Sequence, residues 1–211
     1  MSAVPDLLDV ARRIAGQARA GEEVEAYVAH SRDTDVTVRD GEVAEFAVAE
    51  SGGVGVRVVV EGRLGYAYAG SLDPDVVADV LAEARDNARF SAPDEWNGLP
   101  DAALAAAVPV ARLDLWRDDL AAVPTADKVA LALGLERAAA GLDPRVRTVE
   151  SASYGDAAVE SAVASSLGVA AATRRTVASC SVGALAGEAG GTRSGHGFSV
   201  GRTLADLDPE A

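Results

Sequence analysis

Two stretches of this chain carry similar residues 115 positions apart, and this similarity constrains the fold more than any other feature of the sequence. Glu45 to Val54 and Glu160 to Val169 share a glutamate, small apolar residues, a serine, a glycine and a valine at matching places. Self-similarity at a fixed spacing is typical of duplicated units. Alanine and valine also match by chance in a chain this rich in both, so the interpretation depends on the coincidence of Gly53 with Gly168 and on the shared order of elements. The sequence predicts an α+β fold of two similar helix-plus-antiparallel-sheet units.

The first half predicts a helix, a meander of four strands and a second helix. Apolar residues recur at helical spacing from Pro5 to Ala20. From Val24 onward apolar and polar residues alternate, as in half-buried strands. Asp73 followed by proline is a typical helix start, and the apolar stripe behind it continues to about Phe90. The predicted strands are separated by three turn signals, Asp40-Gly41, Ser51-Gly52-Gly53 and Glu61-Gly62.

The second half follows a connector and repeats this order of elements. Three prolines and Asn97-Gly98 interrupt Ser91 to Pro109. A helix is predicted from Thr125 to Gly141, and strands resume at Val146 with a turn at Gly155-Asp156. We therefore predict an N-terminal unit at 1–92, a connector at 93–124 and a middle unit at 125–211. Because Asp208-Pro209-Glu210 resembles the helix start at Asp73-Pro74, we expect the second unit to be truncated before its closing helix.

Composition excludes several classes of protein. The formal net charge is −14, which opposes nonspecific binding to nucleic-acid phosphates. Apolar runs such as Val54 to Val60 are far shorter than the roughly 20 residues of a membrane-spanning helix. The N-terminus has no basic region before an apolar core, so it does not resemble a signal peptide and favours the cytoplasm. A single cysteine, Cys180, cannot form an internal disulfide, and Lys128 is the only lysine.

Gly197-Phe198-Ser199-Val200-Gly201 matches the G-x-S-x-G pattern in which a sharp strand-to-helix turn exposes a nucleophilic serine. That arrangement requires an acid and then a histidine later in the chain. The last histidine, His196, comes before Ser199. The sequence therefore favours a glycine-rich strand or loop over a serine hydrolase.

Metal, thiol and phosphate sites are equally poorly supported. A zinc site needs several converging ligands, and the chain has only two histidines, His30 and His196, without a His-Glu motif. Cys180 lies among small strand residues and is expected to be a packed thiol. Gly52 to Gly55 leads into a valine-rich strand, whereas phosphate loops lead into a helix. The carboxylate pairs Glu22-Glu23 and Asp118-Asp119 are expected on solvated faces, so no catalytic, cofactor-binding or metal-binding residue is assigned.

Three segments resemble the N-terminal domain of the TldD/PmbA family. They are Val38-Arg39-Asp40-Gly41-Glu42, Glu50-Ser51-Gly52-Gly53-Val54-Gly55-Val56-Arg57-Val58 and Gly62-Arg63-Leu64-Gly65-Tyr66-Ala67. Tyr154-Gly155-Asp156 and the strands after it resemble the middle domain of that family. The connector Pro93-Asp94-Glu95-Trp96-Asn97-Gly98-Leu99-Pro100 is closer to the PmbA side. The resemblance covers nearly the whole chain.

The resemblance implies a cytoplasmic bacterial metallopeptidase system, also described as a modulator of DNA gyrase. In it a TldD subunit and a PmbA-type subunit assemble as a dimer and degrade or trim unfolded peptides. The TldD member holds a divalent metal such as zinc with a His-Glu-x-x-x-His motif in its C-terminal domain. No such motif occurs in this sequence, so the metal is expected in a missing domain or a partner subunit.

These observations predict a non-catalytic N-terminal and middle part of such a system, which serves dimer assembly and the substrate path. The expected partners are a like or unlike TldD/PmbA-type subunit and an unfolded peptide. The alternative is a self-standing binding or assembly module with no link to proteolysis.

Overall fold

The structure is a computed structural model that describes residues 6–103, 113–188 and 191–209. Over these residues no helix is both long and apolar enough to span a bilayer. The 3₁₀ turns Leu120–Ala122 and Leu204–Asp206 precede the third helix and follow the last strand. The helices and strands are, in chain order, α1 (Leu7–Ala15), β1 (Glu22–Arg39), β2 (Glu42–Val60), β3 (Arg63–Ala69), α2 (Pro74–Phe90), α3 (Thr125–Gly141), β4 (Val146–Ser165), β5 (Ala170–Glu188) and β6 (Gly191–Gly201).

The six strands belong to one sheet with the order β3-β2-β1-β4-β5-β6. Strand β3 pairs antiparallel with β2, and β6 pairs antiparallel with β5. The α+β class is thus confirmed. The description as two similar units, each with its own sheet, is not confirmed, because strands from both halves of the chain share this one sheet. Long strands make this possible, since β1, β2, β4 and β5 each contain 18 to 20 residues.

Two of the predicted hairpin turns are confirmed. Asp40 and Gly41 have φ of 55° and 78°, and Glu61 and Gly62 have φ of 52° and 71°. Positive φ at both central residues defines the two-residue turn that matches the twist of flanking strands. These turns set the antiparallel order of β1, β2 and β3.

The turns predicted at Ser51-Gly52-Gly53 and at Gly155-Asp156 are wrong, because β2 and β4 run through them. The first half therefore has three strands rather than four. Glycine is required at position 53 because the backbone of Ala69 approaches it closely. A Cβ there would lie 2.7 Å from the carbonyl oxygen of Ala69. Gly168, with φ of 89°, lies instead in the turn between β4 and β5. The two glycines occupy different elements, so the alignment at 115 residues is wrong.

Contacts between Cα atoms group the chain into two compact units. Among the described residues, unit 1 comprises 6–31, 51–103, 113–114 and 159–174. Unit 2 comprises 32–50, 115–158, 175–188 and 191–209. The sequence-based division at 1–92, 93–124 and 125–211 stays a prediction. Part of its connector, and Glu210 of the expected helix start at Asp208-Pro209-Glu210, lie outside the described residues.

Unit 1 has an aliphatic core beneath α1 and α2. Asp6 caps α1 by accepting hydrogen bonds from the backbone N–H groups of Leu8 and Asp9, and Asp73 caps α2 through the N–H of Asp75. Helix α2 packs closely on β3, where a Cβ on Gly65 would overlap backbone atoms of Ala84 and Ala88. The largest buried side chains of this core include Leu7, Val10, Ile14, Val24, Val28, Val56, Val58, Val80 and Leu81.

Unit 2 has a core that mixes apolar and polar groups. Its apolar members include Val36, Val38, Leu120, Leu135 and Tyr154. Five polar residues of this unit are also buried, and they are Thr34, Lys128, Glu136, Thr176 and Thr203. Two of them, Lys128 and Glu136, lie on α3. Helix α3 thus brings charge into the core of unit 2.

Candidate functional site

An exposed row of tyrosines lies on the part of the sheet that belongs to unit 1. Tyr27 on β1 is 50% exposed, while Tyr66 and Tyr68 on β3 are 51% and 73% exposed. The rings of Tyr66 and Tyr68 stack, with centroids 6.0 Å apart and an interplanar angle of 25°. Alternation along a strand places residues two apart on one face. The pattern of β3 therefore puts both rings on the solvent side while Gly65 and Ala67 are buried.

Glycines on β2 form the floor between these rings. The register pairs Gly55 with Tyr68 and Arg57 with Tyr66. A Cβ on Gly55 would lie 2.9 Å from the hydroxyl oxygen of Tyr66, so only glycine leaves the ring its position. Gly53 also lines the depression. The result is a tyrosine groove, which we define as Tyr27, Gly53, Gly55, Arg57, Tyr66 and Tyr68.

An ion pair lies in the tyrosine groove. Arg57 Nη2 lies 2.5 Å from Glu25 Oε1, and Arg57 Nε donates to the same oxygen at 2.9 Å. The Glu25 side chain is 12% exposed and that of Arg57 45% exposed. The groove therefore offers flat apolar faces, phenolic hydroxyls and a fixed guanidinium. It can bind and orient a chain, but it contains no nucleophile paired with a base.

Unit 2 carries its own exposed apolar side chains. Val43, Phe46 and Val48 on β2 are 44%, 45% and 50% exposed. On β6, Phe198 and Val200 are 69% and 59% exposed. The His196 ring stacks on Phe198 with centroids 6.2 Å apart. Phe46 and Val48 lie two residues apart and so share one face of β2, and exposed apolar side chains that lie together are typical of surfaces that contact another molecule.

The sequence candidates for catalysis are not brought together. Ser199 lies within β6, and its Oγ accepts a hydrogen bond from the backbone N–H of Asp208 at 2.9 Å. His30 lies on β1 in unit 1, and His196 lies on β6 in unit 2. Cys180 on β5 is buried, and burial raises the pKa of its thiol. A thiol with a raised pKa is a poor nucleophile at neutral pH.

Two of the four candidate carboxylates are not solvated as expected. The Glu22 side chain is 11% exposed and pairs with Arg85, whose Nη2 lies 2.9 Å from its Oε2. Burial alone would raise the pKa of Glu22, but hydrogen bonds from Arg85 and from the backbone N–H of Arg19 outweigh it and lower that pKa. Glu23 accepts a hydrogen bond from the N–H of Leu99 at 2.7 Å. These two glutamates therefore join elements of unit 1.

Asp118 and Asp119 are exposed, as expected, but each accepts a hydrogen bond. Asp118 Oδ1 receives one from the indole N–H of Trp116 at 2.6 Å, and Asp119 Oδ2 receives one from the hydroxyl of Thr203 at 3.1 Å. Both bonds lie within unit 2. They fix local structure around the 3₁₀ turn Leu120–Ala122.

A buried polar cluster in unit 2 was not predicted. Lys128 Nζ lies 2.5 Å from Asp156 Oδ2 and donates to the hydroxyl of Thr34 at 3.2 Å. The Tyr154 hydroxyl donates to the same Asp156 oxygen at 2.8 Å. Burial, together with this bond and the negative charge of Asp156, raises the pKa of Tyr154 far above its usual value. The signal in the sequence was the single lysine, but nothing there indicates its partner.

The residues described do not fit the metal that the family resemblance implies. Across 6–103, 113–188 and 191–209, no three or more His, Cys, Asp or Glu side chains are grouped so that they could hold an ion. No metal ligand is therefore assigned among these residues.

Comparison with protein families gives two successive matches. Residues 24–88 match the family model described as PmbA/TldA metallopeptidase domain 1. Residues 118–211 match the model described as PmbA/TldA metallopeptidase central domain. Together the matches cover most of the chain.

Individual proteins are similar to this chain along nearly its whole length. The chain is 29% identical over 206 residues to metalloprotease PmbA of Escherichia coli O157:H7, an alignment that covers 95% of this chain and 44% of that protein. TldE of Thermococcus kodakarensis shares the fold with a TM-score of 0.78 at 21% identity, over 97% of this chain and 44% of its own. A Bacteroides thetaiotaomicron protein described as a DNA gyrase modulator has a TM-score of 0.84 at 23% identity, over 96% and 46% of the two chains. The chain thus spans less than half the length of each relative.

Proposed function

Because the chain belongs to the PmbA/TldD metallopeptidase family, we propose that it is a non-catalytic N-terminal and central part of such a peptidase system. It assembles with a second subunit of TldD/PmbA type, like or unlike itself, in the cytoplasm. It also lines the path along which an unfolded peptide reaches a metal site elsewhere. The sequence supports the non-catalytic role, since it has two histidines and lacks a His-Glu-x-x-x-His motif.

The tyrosine groove is the observation that carries the substrate-path part of the proposal. Tyrosine combines a large rigid apolar face with a hydroxyl and loses little conformational entropy on binding. The groove extends from β1 to β3 across β2, and two strand spacings correspond to roughly 10 Å. A single extended peptide fits such a width. Stacking on rings discriminates little between sequences, which suits a path for unfolded peptides of many kinds.

The apolar side chains of β2 in unit 2 support the assembly part. Phe46 and Val48, which alternation places on one face of β2, are each about half exposed. Burying apolar surface stabilises a complex by roughly 25 cal/mol per Å² before the entropic cost of association is subtracted. A partner subunit that covers these residues would gain this free energy.

The experiment is a reconstitution with a TldD-type subunit that carries the His-Glu-x-x-x-His motif. Light scattering coupled to size exclusion measures the complex, and cleavage of an unfolded peptide measures kcat/KM. A double variant, Tyr27→Ser with Tyr68→Ser, tests the groove. We expect the complex to persist and kcat/KM to fall about thirtyfold, since two aromatic contacts are lost and each is worth on the order of 1 kcal/mol.

Phe90→Ser is the matched control, because Phe90 is 89% exposed and lies on α2 outside the groove. It should leave kcat/KM unchanged. Failure of the two chains to associate would refute assembly, and unchanged cleavage by the groove variant would refute the path. Peptide binding by this chain with no effect on cleavage would instead favour the self-standing binding module.

A further inference from the structure

An arginine pocket lies in unit 1. Four arginines, two glutamates and two valines line it, and the cavity volume is about 400 Å³. This size falls within the range of small-ligand sites, roughly 300 to 1,000 Å³. The lining residues are Arg19, Arg63, Arg85, Arg89, Glu22, Glu61, Val58 and Val60.

The charge of this pocket is opposite to that of the whole chain. Four arginines against two glutamates give the lining a formal charge of +2, while the chain carries −14. Glutamates and aspartates elsewhere on the surface therefore repel an anion that the pocket attracts. An excess of positive charge beside apolar walls raises the local concentration of anions. Val58 and Val60 supply such a wall.

One of the four arginines is held by an ion pair and hydrogen bonds within the fold, and the other three have N–H donors available to a ligand. Arg85 is held by Glu22 and by the carbonyl oxygen of Gln17, to which its Nη2 donates at 2.7 Å. Arg63 donates to the carbonyl oxygen of Ser91, a neutral acceptor that leaves its charge uncompensated. Among the described residues, the Arg19 guanidinium has no hydrogen bond or ion pair.

Arg89 is only loosely engaged. Its Nη1 lies 2.8 Å from Asp86 Oδ1, but the two side chains are 68% and 62% exposed. An ion pair this exposed is worth little and is readily exchanged for another anion. Glu22 is hydrogen-bonded to Arg85, and the Arg19 charge acts on it without a hydrogen bond or ion pair between the two side chains, so the Arg19 N–H donors remain available to a bound anion.

We propose that the arginine pocket binds a small multivalent oxyanion, of phosphate or polycarboxylate type. Guanidinium groups present parallel N–H donors that match the oxygens of both classes. Arg19, Arg63 and Arg89 contact the anion. The ion pair of Arg85 with Glu22 forms the base of the pocket. This site is independent of the tyrosine groove and of peptide cleavage.

The test is calorimetric titration of the 211-residue chain with inorganic phosphate and, separately, with citrate at low ionic strength. We expect saturable binding of at least one of them. Arg19→Gln should weaken it about tenfold, and Arg19→Gln with Arg89→Gln should abolish it, because hydrogen bonds from a guanidinium to an oxyanion are charge-assisted. Binding should also weaken as sodium chloride screens the charges. A preference for one anion identifies the class of ligand.

Arg13→Gln is the control, since Arg13 is exposed on α1 and lies outside the pocket. This substitution removes the same charge as Arg19→Gln. It should leave the affinity unchanged. Arg19 and Arg89 are exposed, so thermal melts without anion should match for all variants. Absence of saturable binding of both anions up to about 10 mM, a level that detects even millimolar Kd, would overturn the proposal. Equal weakening by Arg13→Gln would overturn it too.

Discussion

The core of unit 1 buries aliphatic side chains under α1 and α2, whereas the core of unit 2 also buries charged and hydroxyl groups, two of them on α3. Ser165 is the only buried polar residue among those described in unit 1. Aliphatic packing is nondirectional and tolerates exchange of one residue for another of similar volume. A buried ion pair is directional and fails when one partner is removed. The two units should therefore respond differently to mutation and to pH.

The largest effect is expected at the buried ion pair of unit 2. Lys128→Met should lower the free energy of unfolding by about 3–5 kcal/mol, because it leaves the Asp156 carboxylate buried without its cation. Lys128→Met with Asp156→Leu should cost much less than the sum of the single variants. Urea unfolding of all three measures this coupling. A loss below about 1 kcal/mol for Lys128→Met would contradict the directional character assigned to unit 2.

The next effect concerns the close contact between α2 and β3 in unit 1. Gly65→Ala should destabilise the chain by about 3 kcal/mol, because its methyl group would overlap backbone atoms that cannot rotate away. Gly70→Ala is the matched control, since a Cβ there meets no atom within 4 Å. Thermal and urea unfolding provide the measurement. Similar melting for both variants would show that α2 does not pack on β3 at this distance.

A smaller effect on stability is expected at the ion pair of Glu22 with Arg85 in unit 1 when the pH falls. The folded-state pKa of Glu22 lies below 4.5, so its contribution to stability is fully present above pH 4.5 and is lost as the pH falls through the folded pKa. Glu22→Gln should cost about 1–2 kcal/mol at pH 7. It should also flatten the decline of stability as the pH falls below 4.5. Urea unfolding across that range checks both, and a decline as steep as in the parent chain would exclude Glu22 as its source.

The smallest effect should come from the exposed ion pair on α2. Asp86→Asn should change stability by less than about 0.5 kcal/mol, since both side chains are more than 60% exposed. Set beside Lys128→Met, this variant isolates the contribution of burial to the strength of an ion pair. A loss above about 1 kcal/mol would mean that exposure does not rank the ion pairs of this chain.

Unit 1 was largely predictable because its elements obey simple periods. Helical spacing identified Leu7, Val10 and Ile14, which are all buried. Alternation identified the strands, and Asp40-Gly41 identified a hairpin. The strand through Gly53 was misread as a turn because glycine serves both left-handed turns and close backbone approach. The tyrosine groove was missed for the same reason, since it requires Gly53 to lie inside a strand.

Unit 2 was less predictable because its determinants are pairs distant in sequence. Apolar residues of α3 lie on all sides of the helix, so their pattern does not indicate which face is buried. The buried face includes Lys128 and Glu136, which a hydrophobic pattern places in solvent. Asp156 follows Lys128 by 28 positions, and only the fold of β4 against α3 makes them partners. The alignment at 115 residues failed for a related reason, since small residues recur in every strand.

The position of Lys128 determines how this chain responds to amine chemistry. It is the only lysine in the sequence and its side chain is 10% exposed, so acylating reagents and lysine-directed crosslinkers find almost no ε-amino group on the folded surface. Enzymes that acetylate or conjugate lysine side chains face the same barrier. The ε-amine becomes reactive only when α3 separates from β4. Acylation at residue 128 would therefore report the opening of unit 2. No other side chain of the chain carries an ε-amine that could add to the signal.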